Sequence, residues 1–251
     1  MVILVKVYIV RHGETTSNKD GAIQGHLDTA LNEEGRRQAT LLAQRLKSEP
    51  IHIAYTSDLQ RAKGTAESVL KHHPGIVLHE REDMRERFMG TLQGSKLPSI
   101  VRKAMMRDDA TIETTEKLGS RALAWWKDTI LPLARDSKSG LSSGTEPTTL
   151  NVLAASHGGW ISTFFSAAVA QGLIALSPGV AFTRCWNTSV SIVEIDETLK
   201  GSVTAYADIS HLLRKDVVET NVDEVEVESA PSGGESGGSA AALSDQLNGL
   251  I

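Results

Sequence analysis

The sequence lacks most of what secreted and membrane proteins carry. It has one cysteine in 251 residues, Cys185, so no internal disulfide can form and a reducing compartment is expected. Cys185 has no Cys-x-x-Cys partner, and we interpret it as a core residue. No stretch approaches the roughly 20 apolar residues that cross a bilayer, and the short apolar run at residues 2–10 is not followed by a cleavage site. These absences predict a cytoplasmic protein, with the nucleus possible, and no membrane partner.

Dense positive charge is also missing, so we expect no nucleic-acid partner. The net charge is −5, but it is unevenly distributed, because residues 216–251 hold 8 acidic residues and no Lys or Arg. In residues 1–215 the 26 basic residues therefore exceed the 23 acidic ones by three, which suits a small anionic ligand. The Ser- and Gly-rich residues 216–251 are expected to form a disordered acidic tail that follows one domain over residues 1–215.

Apolar segments rich in β-branched residues alternate with segments of helical periodicity. Strands are expected at residues 2–10, 51–55, 76–78, 150–155, 190–195 and 203–206. Helices are expected to begin after caps at Asn32 and Asp58, and further helices at residues 96–107, 113–135 and 159–173, with a surface loop at residues 137–149. This alternation predicts a three-layer α/β/α domain with a mostly parallel central sheet, in which the last two strands form an antiparallel hairpin at one edge.

Two predicted strands that are far apart in the sequence both end in histidine and glycine. One ends in Arg11-His12-Gly13, and the other runs into His157 within Ser-His-Gly-Gly at residues 156–159. Parallel strands of an α/β sheet bind ligands at their carboxyl ends, so both imidazoles are expected at one site. A neutral imidazole is a nucleophile, and the guanidinium fork of Arg11 suits phosphate. Gly13 is expected to allow a sharp turn and the close approach of a ligand.

Two converging histidines suit either a metal ion or an anion. A metal site would need a third histidine or a carboxylate at ligand spacing, such as His-Glu-x-x-His, and the sequence has none. Arg11 and Arg61 would repel a cation and favour phosphate. The sequence therefore predicts an anion pocket with no metal and no cofactor. From the first motif alone, an ordinary strand-end His12 that pairs with Glu14 is an equally good interpretation.

Four blocks along the chain resemble the signature of the histidine phosphatase superfamily, which includes the cofactor-dependent phosphoglycerate mutases. The blocks are Arg11-His12-Gly13-Glu14-Thr15, Ser57-Asp58-Leu59-Gln60-Arg61-Ala62, Arg85-Glu86-Arg87-Phe88-Met89-Gly90 and Ser156-His157-Gly158-Gly159. Four blocks in the right order are more specific than any one alone, and the resemblance covers about residues 3–213. It implies a phosphoglycerate mutase-like fold.

The resemblance also implies roles for the matching residues. His12 would be the nucleophile that forms phosphohistidine, and Glu86 would be the general acid. Arg11, Arg61 and His157 would bind the phosphoryl oxygens. The other positions implied to line the substrate pocket are Gly13, Asn18, Gln24, Gly25, Gly158 and Asn187.

Some of these roles have competing interpretations in the sequence. Glu86 lies between two arginines and could form an ion pair with either of them instead. Glu14 and Glu82 are alternative acids, and Arg61 could be a surface charge on its helix.

The segment after Glu86 bears on the reaction. Mutases of this family typically carry an Arg-Arg pair and a proline run there, whereas residues 101–107 lack the proline run. Their acid block tends to read Glu-Arg-His-Tyr-Gly, which differs from residues 86–90, and Gln93-Gly94 replaces the usual Glu-Gly. Glu113-Thr114 followed by Arg121 resembles the Gly-Glu-Ser…Arg helix start of the phosphatase branch, although the preceding glycine is absent.

We therefore expect a metal-independent phosphomonoesterase. Its substrate would be a small phosphorylated metabolite, either a sugar phosphate or a bisphosphate, as in the fructose-2,6-bisphosphatase-like members. A cofactor-dependent phosphoglycerate mutase is the alternative within the family. A phosphate-binding scaffold of the same fold, without catalysis, is the alternative of another class.

Overall fold

The computed structural model describes residues 2–142 and 149–212. Seven strands of this part of the chain form one sheet: β1 Ile3–Arg11, β2 Ile51–Ser57, β3 Leu78–Arg81, β4 Leu150–Ser156, β5 Ile174–Leu176, β6 Val190–Asp196 and β7 Gly201–Asp208. The α-helices are α1 Thr16–Asp20, α2 Glu33–Leu46, α3 Gln60–Leu70, α4 Ser99–Asp108, α5 Thr115–Trp125, α6 Leu131–Ser142 and α7 Gly158–Ala170. A π-helical turn, Trp126–Ile130, joins α5 to α6, and short 3-10 helices cover Glu82–Met84 and Gly90–Leu92.

The sheet has the strand order β3-β2-β4-β1-β6-β7-β5. The four strands from β3 to β1 are parallel to one another. The strand β6 is antiparallel to β1, β7 is antiparallel to β6, and the short β5 pairs parallel with β7. The predicted fold class, a mostly parallel sheet with antiparallel strands toward one edge, is confirmed. The predicted antiparallel hairpin is formed by β6 and β7, but it does not lie at the edge, because β5 pairs with the outer side of β7.

The central strand β1 separates two hydrophobic cores, because its successive side chains point to opposite faces of the sheet. Val5, Val7 and Ile9 face a core built with α5, the π-helical turn and α7, whereas Tyr8 and Val10 face a core built with α2 and α3. Five buried aromatic residues of the described chain fill the first core: Trp125, Trp126, Trp160, Phe164 and Phe165. The helices thus cover both faces of the sheet and give the three layers that the sequence predicts.

The helix caps agree with the sequence in one case and not in the other. Asn32 caps α2 as predicted, since its Oδ1 accepts a hydrogen bond from the Gly35 amide at 2.7 Å. The prediction that Asp58 caps α3 is wrong, because Leu59 occupies the capping position and makes no side-chain cap. Asp58 instead forms two hydrogen bonds with the guanidinium of Arg85, a charge-assisted pair that is stronger than a bond to a neutral amide.

Three other elements differ from the sequence expectations. The third strand begins at Leu78 and not at residue 76, because the turn before it closes through a bond from the Ile76 amide to the His73 carbonyl. The loop expected at residues 137–149 is helical as far as Ser142, where α6 ends, and residues 143–148 lie outside the described residues. The strand β5 is too short to be detected by periodicity.

The predicted acidic tail, residues 216–251, also lies outside the described residues. In the part of the chain that is described, no helix has both the length and the apolar character needed to span a membrane.

A close contact between two glycines connects the end of β1 to α2. Gly13 does not have a positive φ, so it is not needed for a sharp turn. A Cβ at Gly13 would lie 2.5 Å from the carbonyl oxygen of Gly35, and a Cβ at Gly35 would lie 2.0 Å from the carbonyl oxygen of Glu14. The two glycines therefore allow the backbone beside His12 to pack directly against α2.

We predict that Gly35→Ala destabilises the protein by about 1–3 kcal/mol, because the added methyl group overlaps backbone atoms that cannot move independently. Gly64→Ala in α3 is the matched control, since its Cβ would lie 3.5 Å from the flexible Leu31 side chain. The control should gain up to about 1 kcal/mol from helix propensity. Urea unfolding followed by tryptophan fluorescence measures both, and equal effects of the two variants would contradict the close contact.

Candidate active site

The two predicted histidines meet at the carboxyl ends of β1 and β4. These strands are adjacent and parallel, with Arg11 opposite Ser156. The residues that follow them, His12 and His157, therefore leave the sheet at the same point. The ring centroids of His12 and His157 are 5.1 Å apart, and their planes are inclined by 59°. Both side chains are buried. The structure therefore brings both imidazoles into one site.

Hydrogen bonds fix the orientation of His12. Its Nδ1 lies 2.7 Å from the carbonyl oxygen of Gly13, and a carbonyl only accepts, so Nδ1 carries the proton. The main chain of His12 is held as well, since its carbonyl accepts from Asn187 Nδ2 at 3.0 Å and its amide donates to the Ser156 carbonyl at 3.0 Å. The Nε2 atom of His12 consequently has its lone pair available.

Burial and nearby charge keep both rings neutral at neutral pH. Burial lowers the pKa of His12 well below its ordinary value, and the guanidiniums of Arg61 and Arg11 lower it further. Burial also lowers the pKa of His157, with additional contributions from Arg61 and His12. A neutral imidazole is the form that acts as a nucleophile.

Two buried guanidiniums lie beside the histidines. Arg11 Nη1 donates to the carbonyl of Cys185 at 2.6 Å. Arg61 donates from Nη1 to the carbonyl of Leu27 at 2.7 Å and from Nη2 to the carbonyl of Gly25 at 2.8 Å. Carbonyl groups orient a guanidinium without neutralising its charge. Arg61 is also completely buried, which rules out the interpretation that it is a surface charge on α3.

His157 is held from the neighbouring strand β2. Its Nε2 lies 2.9 Å from Ser57 Oγ, at the end of that strand. Its Nδ1 is buried and has no hydrogen-bond partner among the described residues. A buried polar atom without a partner is unfavourable, so a bound ligand that contacts Nδ1 would gain free energy there.

Glu86 joins the same cluster through the start of α7. It is buried, its Oε2 accepts from the amide of Gly159 at 3.0 Å, and its Oε1 accepts from the amide of Arg87 at 2.8 Å. Because Gly158 and Gly159 form the first turn of α7 directly after His157, the carboxyl group is held close to the histidine pair. Free amides at a helix start also favour an anion.

The neighbouring arginines point to other partners. The Arg85 guanidinium bonds to Asp58, and Arg87 Nε donates to the carbonyl of Glu113 at 2.6 Å. The other candidate acids lie elsewhere. Glu14 accepts from Asn32 Nδ2 at 2.6 Å next to the start of α2, and the side chain of Glu82 is 78% exposed. The geometry thus favours Glu86 over both.

The predicted pocket residues on the loop after β1 are all buried and support that loop. Asn18 Oδ1 accepts from the amide of Thr15 at 3.1 Å and lies 3.5 Å from Asn187 Nδ2. Gln24 Oε1 accepts from Thr15 Oγ1 at 2.8 Å. Gly25 has a φ of +51° and supplies one of the carbonyls that hold Arg61. Contact of these residues with a substrate stays a prediction.

Three supporting groups were not assigned from the sequence. Ser57 begins the motif Ser57-Asp58-Leu59-Gln60-Arg61-Ala62 at the end of β2, and this position is the sequence signal for its contact with His157. Thr65 follows Arg61 by one helical turn, and its Oγ1 accepts from the Gly13 amide at 3.0 Å. No sequence signal indicates that the main-chain carbonyl of Cys185 holds Arg11. The side chain of Cys185 is buried, as the sequence predicts. Among residues 2–142 and 149–212, no three His, Cys, Asp or Glu side chains form a metal-ligand cluster.

We predict that the protein loses stability as the pH falls from about 8 to about 5, because His12 and His157 have lower pKa values when folded than the roughly 6.5 of an unfolded chain. The unfolded chain then binds more protons, so the contribution is complete above pH 6.5 and decreases below it. Thermal unfolding in buffers without phosphate measures this. The unfolding temperature should depend less steeply on pH in His12→Gln, whereas His79→Gln, at an exposed histidine, should leave this dependence unchanged. A stability that rises on acidification would contradict the lowered pKa values of His12 and His157.

Comparison with known proteins gives a consistent family. The chain matches the histidine phosphatase superfamily (branch 1) over residues 7–208. It is 30% identical over 213 residues to a protein of Schizosaccharomyces pombe named a probable phosphatase, covering 83% of this chain and 95% of that protein. A metal-independent phosphoserine phosphatase of Arabidopsis thaliana is 29% identical over 224 residues, covering 83% of this chain and 84% of that protein.

A solved structure supports the fold. The crystal structure of a phosphoglycerate mutase from Bacillus anthracis aligns with a TM-score of 0.64 at 24% identity, covering 84% of this chain and 96% of that one. At that identity the likeness concerns the fold alone. The match over residues 7–208 contains His12, Arg61, Glu86 and His157. The chain belongs to the histidine phosphatase superfamily, branch 1.

Proposed function

We propose that this protein is a phosphomonoesterase in which His12 becomes transiently phosphorylated. The observation that carries the proposal is a neutral, buried imidazole whose Nδ1 is protonated and whose Nε2 is available, next to two buried guanidiniums. Positive groups fixed in a buried site stabilise the negative charge of a phosphoryl group during transfer. The relatives named as phosphatases support hydrolysis as the outcome.

In the first step, Nε2 of His12 attacks phosphorus in line with the ester oxygen. The N–P bond forms, the P–O bond to the leaving group breaks, and the leaving oxygen takes the proton of the Glu86 carboxyl. Arg11, Arg61 and His157 hold the three other phosphoryl oxygens. Because the leaving group is protonated as it departs, an alkoxide never has to form.

In the second step, water attacks the phosphorylated His12. The carboxylate of Glu86 takes one proton from the water, the O–P bond forms and the N–P bond breaks. Inorganic phosphate leaves, and His12 returns to its neutral form with Glu86 protonated. Both residues are then ready for another cycle.

The family and the charge of the site support a proposal for the substrate class. We propose a small phosphorylated metabolite, either a sugar phosphate or a bisphosphate, and phosphoserine is the first compound to test because of the named Arabidopsis relative. The guanidiniums of Arg11 and Arg61 supply the positive charge that a metal ion provides in other phosphatases. We therefore propose that the reaction needs no metal or cofactor. The single cysteine supports the further proposal that it takes place in a reducing compartment, either the cytoplasm or the nucleus.

We predict that the purified protein hydrolyses p-nitrophenyl phosphate in the presence of EDTA and that His12→Ala abolishes this activity, because no other group replaces the nucleophile. His79→Ala, at an exposed histidine of β3, is the control and should retain full activity. The release of p-nitrophenol measures the activity of the unsubstituted protein and of both variants.

Three outcomes would contradict this proposal. Loss of activity in EDTA would indicate a metal-dependent hydrolase, and full activity of His12→Ala would indicate another nucleophile. Rapid conversion of 3-phosphoglycerate to 2-phosphoglycerate with 2,3-bisphosphoglycerate present would identify a mutase.

We predict that Glu86→Gln lowers kcat/KM by about 10²–10⁴-fold for an alkyl phosphate, because the amide cannot protonate a poor leaving group. The kcat/KM for p-nitrophenyl phosphate should fall much less, since p-nitrophenolate leaves without a proton and kcat/KM does not include the later attack of water on phosphorylated His12. The control is Glu82→Gln, at an exposed carboxylate near the same segment. An equal fall in kcat/KM for both substrates in Glu86→Gln would show that Glu86 is not the general acid.

A further inference from the structure

The segment that carries Glu86 has little secondary structure of its own. We call residues 83–88 the acid segment. It follows β3, and after the short 3-10 helix Glu82–Met84 its backbone becomes extended, with φ −61° and ψ 155° at Arg85. Without a paired strand, such a segment must be positioned by side chains from elsewhere.

Side chains from four elements donate to consecutive carbonyls of the acid segment. Trp160 Nε1 on α7 donates to the Asp83 carbonyl at 2.8 Å, and Ser156 Oγ on β4 donates to the Met84 carbonyl at 2.7 Å. His26 Nε2, on the loop after α1, lies 2.8 Å from the Glu86 carbonyl. The fourth element is α5, and it supplies more of these bonds than the others.

Arg121 on α5 contacts three carbonyls of the acid segment. Its Nη1 donates to the carbonyls of Asp83 at 2.9 Å and Arg85 at 2.6 Å, and its Nη2 donates to that of Glu86 at 2.8 Å. Its remaining donors bind the carboxylate of Glu113, from Nε at 2.7 Å and from Nη2 at 2.9 Å. All five N–H donors of the guanidinium are thus engaged.

Glu113 holds the other end of the same segment. Its Oε2 accepts from the amide of Phe88 at 3.1 Å, and its own amide donates to the Phe88 carbonyl at 2.9 Å. Burial raises the pKa of Glu113, but the hydrogen bonds and charge of Arg121 outweigh burial and hold the pKa below its ordinary value. The pair is therefore ionised at neutral pH, and it spans the acid segment from residue 83 to residue 88.

We propose that Arg121 and Glu113 are positioning residues that fix the carboxyl group of Glu86 against the leaving oxygen of the substrate. This proposal rests on the proposed role of Glu86 as the general acid. Neither residue has to contact the substrate, because both act through the backbone on either side of Glu86. We call the Arg121–Glu113 pair and its bonds to the acid segment the clamp. A displacement of about 1 Å at a reacting group can cost about 10²-fold in rate, so the loss of these bonds should slow the step in which Glu86 donates its proton.

The first test replaces the planar fork while keeping the charge. Arg121→Lys should lower kcat/KM for an alkyl phosphate by about 10²-fold, because an ammonium group cannot reach three carbonyls and a carboxylate at once. The kcat/KM for p-nitrophenyl phosphate should change by less than about threefold, since transfer of its phosphoryl group to His12 depends little on the acid. Glu113→Gln, which weakens the ion pair without changing its shape, should show the same selectivity with a smaller loss.

The matched control is Arg81→Lys. Arg81 forms a similar fork on the carboxylate of Asp83, with Nε–Oδ1 and Nη2–Oδ2 distances of 3.1 and 2.6 Å, but the bonds involve only side chains. The Arg81→Lys variant should change kcat/KM for both substrates by less than about twofold, as expected for a partly exposed ion pair.

The second test combines Arg121→Lys with Glu86→Gln. If Arg121 acts through Glu86, its substitution should cause no further loss for the alkyl phosphate in the Glu86→Gln protein. An equal loss on both substrates, or a full additional loss in the double variant, would overturn the clamp. If Glu86→Gln alone fails to discriminate between the substrates, the proposed acid role fails instead, so the two failures are distinguishable.

Discussion

The parallel pairing of β1 with β4 is the contact on which the site depends. Its register, with Arg11 opposite Ser156, places two histidines that are 145 positions apart in the sequence at the same point of the sheet edge. A shift of this register by one residue would turn one imidazole to the opposite face. The register is secured by the two cores on either side of β1, which require Val7 and Ile9 on one face and Tyr8 on the other. Hydrophobic packing along β1 therefore determines where His12 and His157 lie relative to each other.

Burying four basic side chains in one place is electrostatically unfavourable, and the structure reduces the cost in two ways. His12 and His157 remain neutral, so of these four basic side chains only Arg11 and Arg61 carry a full charge. The charges of Arg11 and Arg61 are directed by main-chain carbonyls, which can orient them without cancelling their attraction for an anion. A doubly charged phosphoryl group would complete this arrangement. The same buried positive charge favours the binding of phosphate and, through the lowered pKa values of the two histidines, predicts a loss of stability in acid.

Much of the fold and the centre of the site can be predicted from the sequence, because both depend on local signals. Strand patterns ending in His12 and His157 predict the sheet edge, and the placement of Arg61 one position into a helix after β2 follows from its motif. Tertiary contacts override local signals elsewhere. Asp58 looks like a helix cap in sequence, yet Arg85, 27 positions away, takes its carboxylate. Glu113 and Arg121 can be singled out by their motif, but the contacts of Arg121 with the carbonyls of the acid segment cannot, since carbonyl acceptors carry no sequence information.

The topology also has a consequence for biosynthesis. The strand β1 is made before its two neighbours in the sheet, β4 and β6, which come from Leu150–Ser156 and Val190–Asp196. At translation rates of about 5–20 residues per second, this apolar strand waits about 10–40 seconds for both partners. During that interval its unpaired edges are exposed to other nascent chains. The strand that ends in Arg11, directly before His12, therefore needs protection from such pairing until Val190–Asp196 has been made.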